Sequence, residues 1–418
     1  MSRFEALAER DYRRFWLGSV ASVGGYQLLL LGKGWLVFEL SGSALDLGYL
    51  GAAAALPNMA VSLFGGMLAD RVDKRRLLVV TSLLMAVLLC LLAVLDATER
   101  AEVWHVLAIV AVISAVTGFD WPARQSLFPS LINRRRMMSA VALNSVVWQA
   151  SRMVVPALGG FIIALSDTWV LFLIGALGSL GMASALARIA SRRSVRTSGL
   201  GLAQFAEGVR FVVRDPVFAS LVPLTYCCMF FGTSLLQIMP LFADAFDAGE
   251  TGYGLLISAS GLGAIVGTFI VGPYQRSGSL GWIMLAGLAL TAVSLQCFAL
   301  VTALLPAGLA ALALAMTAAL AMGLFSTVYL IASMTVLQLI VPEVLRGRVM
   351  GLHGITYSLI PLGGLLGGFL AEYLSPAAAI GVNATLLLLA VVYAAVAKPH
   401  LRHLDGRALV NELPACGS

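Results

Sequence analysis

Long apolar runs separated by short polar stretches follow one another along the whole chain. They extend over Phe15–Leu40, Leu45–Ala69, Leu77–Leu95, Val103–Gln125, Ala140–Leu165 and Trp169–Ile189. After a polar interval they resume over Val217–Phe242, Tyr253–Tyr274, Gly281–Leu304, Leu309–Val341, Val349–Leu374 and Ala377–Ala397. Each run reaches the length of about 20 residues that a helix needs to cross the hydrocarbon core of a bilayer. Lipid offers no partner to backbone N–H and C=O groups, so a spanning segment must be a helix or part of a closed barrel. None of the runs alternates apolar and polar residues with period two, which excludes the barrel. The pattern predicts an all-α membrane protein with twelve transmembrane helices.

Composition agrees with that reading. Of the 418 residues 60% are hydrophobic and only 11% charged, with a mean hydropathy of +0.94. A soluble domain carries about 25% charged residues because its surface faces water. The net charge of +6 is no sign of a nucleic-acid partner, because the basic residues sit in alternate loops. Arg71, Lys74, Arg75 and Arg76, then Arg134, Arg135 and Arg136, then Arg188, Arg192, Arg193, Arg196, Arg210 and Arg214 fall on one side. Arg276, Arg346, Arg348, Lys398, Arg402 and Arg407 continue the series. The opposite loops hold Glu39, Asp46, Asp96, Glu99, Glu102, Asp167, Asp244, Asp247, Glu250 and Glu372, with Arg100 as their one base. The excess of Lys and Arg marks the cytoplasmic side, so both termini are expected in the cytoplasm. The polar start, Met-Ser-Arg-Phe-Glu-Ala, does not read as a signal peptide. The five cysteines read as small apolar side chains, not as a disulfide framework, and no Cys/His cluster has metal-ligand spacing.

The polar interval divides the chain into an N-terminal six-helix half (1–190), a linker (191–215), a C-terminal six-helix half (216–398) and a tail (399–418). Within the linker Leu202, Phe205, Val209 and Val212 share one helical face, as in a short amphipathic helix on a membrane surface. Weak repetition supports the halves: Gly48-Tyr49 and Gly252-Tyr253 open the second and eighth runs. The fifth and eleventh runs follow Pro129…Arg135-Arg136-Met137 and Pro342…Arg348-Val349-Met350, and both contain a Gly-Gly pair (Gly159-Gly160; Gly367-Gly368). Two such halves with a solute site between them are a common transporter plan.

Ionisable groups within spans are costly and mark a bundle interior or a water-filled path. Lys33, Asp120, Arg124 and Arg152 are the candidates. Ser19, Ser22, Tyr26 and Lys33 are spaced by three, four and seven and so share a helical face, which suits a cavity lining; Lys33 can alternatively snorkel or pair with Glu39. Asp120 and Arg124, four apart, suit a structural ion pair, a proton-coupling site at Asp120, or an Arg124 that reaches Asp70. Arg152 shares a face with Trp148 and lies near Gln149; Asn58, Gln237 and Gln296 are further lining candidates, and His353 is a titratable one. No nucleophile–base pair or appended soluble domain points to an enzyme or a sensor.

The turn Gly65-Gly66-Met67-Leu68-Ala69-Asp70-Arg71-Val72-Asp73-Lys74-Arg75-Arg76 resembles the loop between the second and third helices of the major facilitator superfamily, with Asp73 where glycine is usual. The resemblance spans essentially the whole chain. It implies a conformational latch: Gly66 permits close helix approach, and Asp70 can sit against the positive N-terminus of the eleventh span, with Arg71, Arg75 and Arg124 alongside. Phe119-Asp120-Trp121-Pro122-Ala123-Arg124-Gln125, Ala142-Leu143-Asn144-Ser145 and Arg152…Pro156-Ala157-Leu158-Gly159-Gly160 resemble the branch that holds the enterobactin exporter and macrolide-type efflux proteins. In physical terms Pro156, Gly159 and Gly160 allow the fifth helix to bend and to pack closely. The resemblance implies proton-coupled export of a siderophore or drug-like amphipathic solute from a bacterial inner membrane, without cofactor, by a monomer. An importer or uniporter of the same fold for a small organic anion is the alternative. The three bases against one acid in the spans lean toward an anionic solute.

Overall fold

The structure, a computed structural model, describes residues 5–69, 73–133, 136–189, 209–277, 279–341, 349 and 355–406. Among them there is no strand. The helices are α1 (Arg10–Ser41), α2 (Ala44–Ala69), α3 (Lys74–Ala97), α4 (Val103–Leu127), α5 (Met137–Leu165) and α6 (Thr168–Ala187). They continue as α7 (Pro216–Cys227), α8 (Met239–Ala245), α9 (Gly249–Val271), α10 (Leu280–Leu304), α11 (Leu309–Ile340), α12 (Leu359–Tyr373) and α13 (Pro376–Ala397). Ten of the described helical stretches are long and apolar enough to cross a membrane. The 26-residue α2 and the 15-residue α12 are apolar helices besides.

The chain divides into two compact units, residues 1–200 with 249–258, and residues 201–248 with 259–418. In the first, α1 and α6 come into backbone contact at Gly25 and Gly178, where no side chain fits. A Cβ on Gly25 would lie 2.8 Å from the Gly175 Cα, and one on Gly178 would lie 2.4 Å from the Ala21 carbonyl oxygen. Backbone contact of this kind is how helices associate where lipid removes the hydrophobic driving force. Gly18, Gly25 and Gly32, spaced by seven, all face α6. Helix α2 is tied to α4 through Asn58, whose amide donates to the Ser114 carbonyl (3.2 Å) and the Thr117 hydroxyl (3.1 Å).

The basic ends of the helices are fixed by polar contacts. Asp73 accepts from the backbone N–H groups of Arg75 (2.9 Å) and Arg76 (3.3 Å) and so caps α3. That explains why an acid stands where glycine is usual: the chain enters a helix there, and a carboxylate satisfies its open donors. Arg75 in turn donates to the last carbonyls of α6, Leu186 (2.8 Å) and Ala187 (2.6 Å), while Arg14 donates to Arg188 (2.6 Å). Cations at a helix C-terminus complement its dipole. The Tyr12 hydroxyl donates to the Ala140 carbonyl (3.0 Å) and holds α1 against α5.

In the second unit the seventh apolar run is not one helix. Helix α7 widens into a π-turn over Cys228–Gly232, tightens into a 3-10 turn over Ser234–Gln237, and restarts as α8. Pro240 has no N–H to donate and disfavours helical geometry before it, and the Thr233 hydroxyl donates to the Met229 carbonyl (2.9 Å) at the break. Apolar run length records none of this. Helices α9 and α11 meet as closely as α1 and α6: a Cβ on Gly263 would lie 1.9 Å from the Leu320 oxygen, and one on Gly323 2.0 Å from the Ser260 oxygen. The buried hydroxyls of Thr225 and Tyr329 (2.9 Å) join α7 to α11, with Ser333 at 3.3 Å from Thr225. Of the linker only Val209–Arg214 is described as helical; Leu202 and Phe205 lie outside the described residues.

Candidate functional site

The polar face of α1 is the spine of the candidate site. Ser19, Ser22 and Lys33 are buried, and Tyr26 is half-buried between them. Near the basic end this face opens onto a recess lined by Ser19, Arg124, Gln125, Asn144, Trp121 and Trp148, with Phe15, Val23 and Phe128 completing the wall. Trp121 of α4 and Trp148 of α5 meet edge-to-face with centroids 5.1 Å apart. The recess is small, about 20 Å³, room for a single water molecule, and what it shows is where aromatic and polar side chains of the three helices meet. Pro122 lies inside α4 and Pro156 inside α5, the two helices that supply most of the recess.

Behind the recess a chain of polar contacts crosses three helices. Asp120 and Arg124 form an ion pair along α4. The Thr81 hydroxyl of α3 donates to the other Asp120 oxygen (2.8 Å), and Arg124 donates through Nη1 to the Ser22 hydroxyl of α1 (3.0 Å). Both members of the pair are largely buried, so each charge relies on the other and on these hydroxyls. Of the roles open to Arg124, the structure contains the pair with Asp120. Asp70 and Arg71 lie outside the described residues, as does His353.

Lys33 is placed differently. Only 5% of it is exposed, and among the described residues no hydrogen bond or ion pair reaches its ammonium. Glu39 is exposed and does not pair with it. Burial also argues against snorkelling, which would bring the charged tip to water.

The remaining candidates fall on helix contacts or on the flank of the recess. Asn58 is spent on the α2–α4 contact, and Gly66 is within helical α2. Gly159 packs on Leu31 and Leu28, and Gly160 on the backbone of Glu250 and Gly254; Trp35 stacks on Tyr253 beside them, centroids 5.7 Å apart. Arg152 is exposed on α5 one turn beyond Trp148, and Gln149 is half-buried. Gln237 is half-buried against Gly364, and Gln296 is exposed. Sequence reasoning missed Thr81 and the Trp121–Trp148 pair. The first had a signal, a hydroxyl pair (Thr81-Ser82) in a run of Leu and Val. Among the described residues no three His, Cys, Asp or Glu side chains converge to hold a metal ion.

A many-span helical protein with charged groups held inside its helices, Lys33 and the Asp120–Arg124 pair, has the build of a membrane transporter. The chain belongs to the family described as Transmembrane secretion effector, whose model matches residues 1–414, within the major facilitator superfamily. It is 30% identical over 398 residues to the multidrug efflux pump Tap of Mycolicibacterium fortuitum, covering 89% of this chain and 91% of that protein. It is 25% identical over 346 residues to the enterobactin exporter EntS of Shigella dysenteriae, covering 81% and 80%. Among solved structures its fold is similar to a peptide transporter POT (TM-score 0.76, 13% identity, 96% and 99% covered) and to a bacterial homologue of the iron transporter ferroportin (TM-score 0.72, 15% identity, 92% and 98% covered). The protein is a multi-pass membrane transporter, not an enzyme.

Proposed function

We propose that this transporter is a proton-coupled exporter of a small amphipathic molecule, siderophore or drug-like, that works by alternating access. It acts as a monomer of twelve helices in two six-helix halves, in a bacterial inner membrane with both termini cytoplasmic. The observation that carries the reading is the set of polar and charged side chains inside the first unit, Ser19, Ser22 and Lys33 on one face of α1 and the Asp120–Arg124 pair beside them, with Trp121 and Trp148 at their edge. A multidrug pump and a siderophore exporter among its relatives agree with the direction and the kind of cargo.

Asp120 is the proton site in this scheme. A proton on its carboxylate removes half of the ion pair with Arg124, and the guanidinium then follows Ser22 or the solute. Gly66, Asp70, Arg71 and Arg75 form the latch on the basic side, and Tyr26, Asn58, Gln149 and Arg152 border the path. The test is efflux of a panel of siderophores and amphipathic drugs from loaded cells of an efflux-deficient host, with and without a protonophore. Export that stops with the protonophore, and stops in Asp120→Asn at equal membrane abundance, is the expected result. Unchanged proton-driven efflux in that variant removes Asp120 from coupling, and solute uptake in place of efflux overturns export.

A further inference from the structure

Two charge sites in the first unit face the same physical problem and meet it differently. The Asp120 and Arg124 charges cancel each other and are further satisfied by Thr81 and Ser22. Lys33 is as deeply placed, 5% exposed, with Gly32, Gly34, Trp35 and Leu36 buried around it, yet no described residue meets its ammonium. It lies eleven residues beyond Ser22 on the same helical face, about 16 Å further along the axis at a rise of 1.5 Å per residue. A buried charge with no counter-charge is among the most costly groups a membrane bundle can hold, and such groups mark solute and ion paths. The largely buried acid of α4 does not offset it: Asp120 is paired with Arg124.

We infer that the missing partner of Lys33 is the cargo: the solute is an amphipathic organic anion, and Lys33 binds its carboxylate or other acidic group. This rests on the export reading and adds the solute's charge to it. The polar face of α1, Ser19, Ser22 and Tyr26, leads the acidic group to the ammonium. Fixed positive charge in a low-dielectric path attracts anions and repels cations of the same shape.

Fluorescein and rhodamine 123 share a xanthene ring and carry opposite charge, so they serve as probes. Efflux of each is followed in an efflux-deficient host carrying the natural protein, Lys33→Gln or Lys33→Arg, and the thermal midpoint of each purified protein is measured with and without dye. The natural protein exports fluorescein in preference to rhodamine 123, and fluorescein raises its midpoint. Lys33→Gln loses at least about tenfold of that export, the scale of one charge-assisted contact, together with the midpoint shift, while Lys33→Arg keeps both within about threefold. Without dye Lys33→Gln is at least as stable as the natural protein, because it has lost a bare buried charge; a lower midpoint would make Lys33 a structural residue and overturn the inference. Equal fluorescein export by Lys33→Gln also overturns it, and rhodamine 123 export without fluorescein export overturns the anion while leaving the exporter. A Lys33-dependent midpoint shift without export of either dye sustains the binding group and removes the export reading; neither shift nor export removes both.

Discussion

The two units differ in what they place in the body of their spans. Lys33, Asp120 and Arg124 lie largely buried in the first unit, whereas the buried polar groups of the second, among the described residues, are neutral, with Thr225, Tyr329 and Ser333 in one cluster and Asn383 and Ser234 in another. Neutral pairs between membrane helices contribute about 0.6 kcal/mol on average. A buried charge, by contrast, commits several kcal/mol and must be answered by a partner or a purpose. In the proposed function the first unit therefore carries the groups that discriminate solutes and respond to protons, and the second carries contacts that hold helices together at low cost.

That contrast is broken most strongly by removing one half of the charged pair. Arg124→Gln strands the Asp120 carboxylate and is expected to cost about 3–5 kcal/mol, the usual scale for an orphaned buried charge. The double variant Asp120→Asn/Arg124→Gln should recover more than half of the loss, since no bare charge remains. Chemical denaturation of the purified proteins measures both. Equal losses in the single and double variants would show that the pair is solvated and that the first unit is not electrostatically committed as described.

Backbone packing offers the next test, because here the units should agree. Gly178→Ala in the first unit places a Cβ 2.4 Å from the Ala21 oxygen, and Gly263→Ala in the second places one 1.9 Å from the Leu320 oxygen. Neither carbonyl can rotate aside as a side chain would, so a helix must shift, at about 1–3 kcal/mol in each case. Gly181→Ala is the control: its Cβ meets only the Ala21 methyl at 3.8 Å and should be neutral or slightly stabilising. Thermal midpoints of the three variants give the comparison. A large loss in one unit alone would mean that the units differ in packing as well as in charge.

Most of the fold was legible because its signals are one-dimensional. Run length and charge alternation marked helices such as α1, α6, α10 and α13, and the four-residue spacing of Asp120 and Arg124 marked their pair. What escaped depends on where helices meet. Nothing in the order of residues shows that Thr81 of α3 reaches Asp120, or that Trp121 and Trp148 meet at the recess. The break in the seventh run was signalled by Gly232 and Pro240, but hydropathy overrode both, since lipid-depth helices tolerate such residues. Asp73, a departure from its motif as a turn residue, became intelligible once it capped α3. The spacing of Gly18, Gly25 and Gly32 was visible in the chain, but its partner Gly175 was identifiable only in three dimensions.

The smallest expected effect belongs to the neutral cluster of the second unit. Thr225→Val keeps the shape of the side chain and removes a hydroxyl that donates to the Leu221 carbonyl (2.8 Å) and pairs with Tyr329 (2.9 Å). Tyr329 retains no route to water, being fully buried, so Tyr329→Phe completes a double-mutant cycle in which both polar partners are gone. The coupling energy should be about 0.6 kcal/mol, the mean for hydrogen bonds between membrane helices, against several kcal/mol for Asp120 with Arg124. Efflux by Thr225→Val and Tyr329→Phe should stay within about twofold of the natural protein, because the cluster holds α7 to α11 and touches no charge. If either variant stops efflux at unchanged stability, the second unit also reads the solute, and recognition is shared between a charged surface and a neutral one.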